Sequence, residues 1–206
     1  MSVLELREKI PFDVFGAMEL NACLRNYANK AQKISSFLRH GEIIQVRRGL
    51  YVFPAPLRHG LLSNGVLANR IYGPSYVSED FALSFYSLIP DMPRMVTSIA
   101  MGRSRLFHTP FGDFAYRYCR SRAYSIGLTA AGEGAGRFLI ATPEKAIFDK
   151  ALYDHRFDGS DPQSYLEEDL RIEQDDLKSL NHDIWKALEP FMVGHLRNLW
   201  QYVATL

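Results

Sequence analysis

The alternation of apolar and polar positions changes character near residue 58, and the front stretch is the more legible. Residues 1–10, which contain VLELREKI, read as an opening helix. Pro11 interrupts it, and Asp13 stands where it can cap a short second helix, Val14 to Leu20. From Asn26 to Gly41 the apolar positions are Ala28, Ala31, Ile34, Phe37 and Leu38, a single helical stripe. The opposite face carries Asn29, Lys30, Gln32, Lys33, Ser36, Arg39 and His40, and Gly41 is a natural stop. Ile44, Val46, Leu50 and Val52 follow, β-prone and apolar, with Arg48-Gly49 as a tight turn between the halves. Pro54 ends the second strand. Helix, helix, polar-faced helix and hairpin, in that order, predict a winged helix-turn-helix over residues 1–58.

Residues 59–206 predict a larger α+β domain. Turn formers between 55 and 65 mark a linker, and Val66 to Tyr72 reads as a short helix. Ser78 is placed to cap a helix from Glu79 to Leu88, with two acids in its first turn. Met95–Met101, Gly112–Cys119, Ser125–Thr129 and Arg137–Ala141 read as strands of a small, mostly antiparallel sheet. Thr142-Pro143 opens a helix as N-cap and first-turn proline. From Asp161 to Leu206 the chain predicts a helical tail, with Trp185, Leu188, Phe191, Met192, Leu196, Leu199 and Trp200 as its apolar content and Pro190 as a break.

Charge sharpens this division. Residues 1–58 hold nine Lys/Arg against five Asp/Glu, residues 59–150 ten against seven, and residues 151–206 five against eleven. A basic front and an acidic tail suit an anionic ligand at the front. Double-stranded DNA fits, because its major groove admits one helix whose outer face reads base edges. Lys30, Gln32, Lys33, Ser36 and Arg39 are suitable donors there. Arg47 and Arg48 at the hairpin tip can reach phosphates or a minor groove. The plainer reading is a solvated amphipathic helix followed by a hairpin, and winged helices also serve as protein-interaction scaffolds that bind no nucleic acid. The charged N-terminus lacks the apolar run of a signal peptide, and no stretch approaches the roughly 18 apolar residues of a membrane span. The expected location is cytoplasmic, with no membrane partner. Cys23 and Cys119 form no CxxC pair, so neither a disulfide framework nor a zinc site is expected.

Three segments carry a resemblance to a known family. Leu38-Arg-His-Gly-Glu-Ile-Ile-Gln-Val-Arg-Arg-Gly-Leu-Tyr-Val52 resembles the winged-helix ending of AbiEi-type antitoxins. Tyr76-Val-Ser-Glu-Asp-Phe-Ala-Leu-Ser-Phe-Tyr-Ser-Leu-Ile-Pro90 and Ile140-Ala-Thr-Pro-Glu-Lys-Ala-Ile-Phe-Asp-Lys150 are similar to two later segments of that family, in the same order. The resemblance implies a front domain that binds repeats in its own promoter and represses transcription. It also implies a rear domain that opposes a nucleotidyltransferase toxin, as in a type IV toxin–antitoxin system.

No enzyme is expected, and no cofactor. Gly132-Glu-Gly-Ala-Gly136 lies between two predicted strands and reads as a hairpin loop, not a phosphate loop. Asp154 to Asp161 begins like a calcium loop but places Arg156 and Tyr165 at ligand positions. There is no HExxH and no GxSxG. Glu144, Lys145 and Asp149 invite a catalytic reading. Helix chemistry explains them more simply: Glu144 suits a first turn, and Lys145 and Asp149 are spaced to pair on the helix surface.

Overall fold

The computed structural model describes residues 1–119 and 122–206. It is a mixed α+β structure with a three-stranded sheet near the N-terminus and a six-stranded sheet behind it. None of the helices among the described residues is long and apolar enough to cross a membrane.

The front module runs α1 (Val3–Lys9), β1 (Val14–Gly16), α2 (Ala17–Cys23), α3 (Lys30–Arg39), β2 (Ile44–Arg47) and β3 (Leu50–Val52). Ser2 and Glu5 form a capping box on α1. The helix expected over Val14–Leu20 is corrected here: Val14 and Phe15 extend and pair with Val52 and Tyr51, and the helix begins only at Ala17. A β-branched and an aromatic residue fit the pleated surface beside β3 better than a helix turn. Gly16 takes the cap position, where its N–H donates to the Glu19 carboxylate at 3.1 Å. Asp13 instead binds the Arg7 guanidinium at 2.8 Å and the His59 backbone N–H at 3.1 Å.

Period-two alternation gives this sheet two apolar faces. Phe15, Tyr51 and Phe53 turn toward the helices and join Leu6, Ile10, Leu20, Leu24 and Phe37 in one core. Val14, Val46, Leu50 and Val52 turn the other way and belong to the core of the rear unit.

That unit contains α4 (Asn64–Ile71), β4 (Ser75–Val77), α5 (Glu79–Phe85), β5 (Met95–Ala100), β6 (Arg105–Thr109), β7 (Gly112–Tyr118), β8 (Leu128–Ala131), β9 (Phe138–Ala141) and α6 (Pro143–Tyr153). A π-helical turn over Ser164–Asp169 leads to α7 (Gln174–Lys178), α8 (His182–Leu188) and α9 (Gly194–Val203). Strand order is β6-β7-β5-β4-β9-β8. The sheet is larger than expected and mixed, since β4–β9 and β5–β7 run parallel while the other neighbours are antiparallel. The β8 strand starts three residues later than Ser125, because Arg122–Ser125 form a 3-10 turn and Gly127 takes a positive φ of 67° before it. Glu189–Phe191, with Pro190 inside it, separates α8 from α9 as a 3-10 turn, so the expected break is present.

Candidate nucleic-acid interface

α3 and the hairpin hold the residues that the sequence nominates. Asn29 caps α3 by accepting the Gln32 N–H at 3.0 Å, and Gly41, with φ 67°, ends it in the left-handed conformation. Phe37 is the helix's fully buried anchor, and its carbonyl accepts the Glu42 N–H at 2.9 Å to turn the chain into β2. At about 100° per residue, Gln32 and Arg39 lie roughly opposite Phe37 and Ile34, while Ser36 lies about 100° from Phe37 and is half-buried. Gln32 and Arg39 are exposed. Ser36 and His40 meet at 3.4 Å on the same side.

The lysines sit differently. Lys33 lies at the flank with its ammonium 4.4 Å from the Phe37 ring centroid, a cation–π contact that seals the edge of the core. Lys30 is the first residue of the helix and shares the inward half of its circumference with Phe37. The outer face of α3 is therefore mainly Gln32 and Arg39, with Ser36 at its edge, Lys33 on the flank and Lys30 on the inward half. No ion pair among the described residues engages Lys30, Lys33, Arg39, Arg47 or Arg48.

Arg47 and Arg48 are exposed at the hairpin turn, at the far end of β2 from α3. The Gly49 carbonyl accepts the Ala17 N–H at 2.8 Å, which ties the turn to the start of α2. Arg47 also lies close enough to Tyr116 of β7 to favour its ionised form, although burial is the larger effect and pushes that hydroxyl up. The turn thus sits at the junction of the two units. α3 supplies one polar surface and the turn supplies a second.

The other nominated cluster is not on a surface. Lys145 and Asp149 do pair, at 2.8 Å, but both side chains are buried, and the expected surface pair is corrected to a core one. Asp149 also accepts from the Tyr76 hydroxyl at 2.9 Å and the Ser78 hydroxyl at 2.8 Å. Ser78, expected to cap α5 with its side chain, spends that hydroxyl on Asp149 instead. Glu144 is buried in the first turn of α6 and accepts the Asn181 N–H at 2.7 Å, which fastens α8.

Tyr76, Glu79 and Arg117 belong to the same polar layer and were not singled out by sequence reasoning. Glu79 is buried, has φ 52° and meets the Arg117 guanidinium at 2.7 Å. Burial outweighs the arginine and pushes its carboxyl up to about 7. The signal that could have found this layer is polar residues recurring inside an otherwise apolar strand–helix run, Tyr76-Val-Ser-Glu. Among the described residues no three of His, Cys, Asp and Glu converge as a metal site. No model of a known protein family matches the chain, and a comparison with curated proteins also finds no match.

Proposed function

We propose that the chain is a DNA-binding transcriptional regulator whose residues 1–58 act as a winged helix-turn-helix. The carrying observation is the front module's order α1-β1-α2-α3-β2-β3 with sheet order β1-β3-β2, together with the exposed Gln32 and Arg39 on α3. A capped helix that buries only Phe37 and turns Gln32 and Arg39 outward suits entry into a major groove. The hairpin is too short for a long wing, so Arg47 and Arg48 suit phosphates beside the helix rather than deep groove insertion. The likeness to AbiEi-type antitoxins extends the reading to repression of the chain's own promoter and to opposition of a nucleotidyltransferase toxin by residues 59–206. This reading assigns no catalytic step to Glu144, Lys145 or Asp149, which are locked inside the fold.

The test is a gel shift with the chain's own upstream DNA. Arg39→Ala and Gln32→Ala each cost roughly 1–3 kcal/mol on the specific site if they contact bases. Arg48→Ala weakens all sequences about equally and lowers the salt slope by about 0.9. Unchanged affinity in all three variants refutes the assignment. The second reading is a protein-interaction scaffold whose winged helix binds no nucleic acid. Absence of any salt-dependent DNA complex would favour it.

A further inference from the structure

A cavity of about 560 Å³ opens between the front module and the rear unit. Its walls are residues 12–14 at the start of β1, the connecting segment 59–63, one side of α4, and the β8–β9 turn, residues 133–137. This volume falls within the roughly 300–1,000 Å³ of small-molecule sites, which favour junctions between units.

Three features define what would fill it. The first is which polar groups remain open. Asp13 is held by Arg7 and the His59 N–H, and Arg70 pairs with Glu19 at 3.3 Å. Asn69 exchanges two hydrogen bonds with the Leu139 backbone, and the Ser63 hydroxyl caps α4. The guanidinium of Arg137 has no partner among the described residues and is exposed on the cavity wall. Glu133 is the other unengaged charge there, and it sets a limit: a polyphosphate would be repelled, whereas a single negative group can face Arg137.

The second feature is bare backbone. Gly132 must be glycine, since it has φ 78° and a Cβ would stand 2.4 Å from the Gly136 carbonyl oxygen. Gly60 and Gly136 carry no such demand. Neither lies in the left-handed region, and a Cβ on either would meet nothing within 4 Å. Glycine costs ordering entropy, and both of these line the cavity. They leave open space beside the main chain, where the Gly136 N–H is already held by the Glu133 carbonyl at 2.8 Å. The third feature is apolar surface out of place. Phe12 is half exposed and Leu61 fully exposed, and Leu62 and Val66 also line the cavity.

We propose that this junction binds a small organic monoanion, with its carboxylate-type head on Arg137 and its apolar body against Phe12, Leu61 and Leu62. The site touches both units, so its occupant braces one against the other. The proposal stands on the cavity and is independent of whether the front module binds DNA.

The probe is 8-anilinonaphthalene-1-sulfonate, an apolar monoanion, titrated into the full chain at neutral pH and low salt. Saturable fluorescence at about one probe per chain is expected, displaced by 1-naphthoate but not by the neutral 1-naphthylmethanol. Arg137→Gln raises Kd at least about tenfold, as loss of a charge-assisted hydrogen bond does. Gly136→Leu projects a side chain into open space, so it keeps the parent's melting temperature and abolishes binding. Three results would overturn the proposal: no saturable binding, unchanged Kd in both folded variants, or equal displacement by the alcohol. Should Gly136→Leu melt early, Gly60→Leu, also on the cavity lining, replaces it under the same criteria.

Discussion

Removing one partner of the Lys145–Asp149 pair is the sharpest perturbation this structure offers. Asp149 accepts three hydrogen bonds, from Lys145, Tyr76 and Ser78, and its side chain is 1% exposed. Lys145→Met keeps the aliphatic length beside the Tyr76 and Phe148 rings, which lie 5.7 and 4.6 Å from the ammonium. It leaves a carboxylate with two neutral donors and no counter-charge. Breaking a buried pair in this way costs about 3–5 kcal/mol, because the stranded charge is not resolvated. For a chain of this size, each kcal/mol moves the melting temperature by about 2–4 °C, so a fall of roughly 6–20 °C is expected. Asp149→Asn alone strands the ammonium and falls in the same range. The double variant removes both charges and is no worse than either single one, so the two losses are strongly non-additive. Calorimetry and urea titration of the four proteins complete the cycle. A single-variant cost below about 1 kcal/mol, or simple additivity, would mean that the pair does not act as a buried unit.

Other expectations follow from single sites. Glu79 has its folded carboxyl raised to about 7 from 4.5, so the native state holds a proton that the unfolded chain has released between those values. Its contribution therefore falls as pH rises from about 4.5 to 7, and Glu79→Gln should flatten that part of the urea-midpoint profile; an identical slope in both proteins would refute it. Gly65→Ala sets a Cβ 2.3 Å from the Phe138 ring, an overpacking worth about 1–3 kcal/mol; full stability by thermal melt would contradict the close approach of α4 to β9. Asn29→Ala removes the α3 cap and should cost about 1 kcal/mol by urea titration. No measurable loss would show that packing of Phe37 alone holds the helix start.

The front module was largely legible because its signals are local. The Ile34, Phe37 and Leu38 part of the stripe, the Gly41 stop and the Arg48-Gly49 turn each need only a few neighbouring residues and stand where expected, whereas Ala28 precedes α3 and Ala31 is exposed. β1 is not legible locally, because Val14 and Phe15 become a strand through pairing with Val52 and Tyr51, 38 and 36 positions later. β4 and β6 escaped for different reasons. β4 is three residues long, and β6 is an edge strand whose Arg105, Leu106 and His108 face solvent, so neither shows an apolar run. Helix spacing correctly paired Lys145 with Asp149 but could not say which way the pair faces. That depends on Tyr76 and Ser78, some seventy positions away, which turn a surface motif into a core one.

The boundary near residue 58 marks a change of composition, but the packing runs across it. Val14, Val46, Leu50 and Val52 are at most 6% exposed, and they belong to the rear unit's core. Around them the Glu19–Arg70 pair, the Asp13–His59 contact and the Arg58 guanidinium 5.5 Å from the Phe111 ring join the same two units. Baring those four side chains would forfeit on the order of 6–12 kcal/mol at about 1.5–3 kcal/mol each. That is comparable with the entire stability of a small domain. A fragment of residues 1–58 would keep the core around Phe15 and Phe37 but carry an apolar sheet face into water, and residues 59–206 would lose the lid on theirs. Loss of DNA binding in either fragment would then report folding as much as recognition. Point substitutions on the outer face of α3 touch neither core, so they separate the two. The same weld gives a physical route between the units: whatever fastens onto the rear unit acts on a sheet that β2 and β3 share with the proposed reading helix. Its effect on DNA affinity would arise through that sheet, without any contact to DNA.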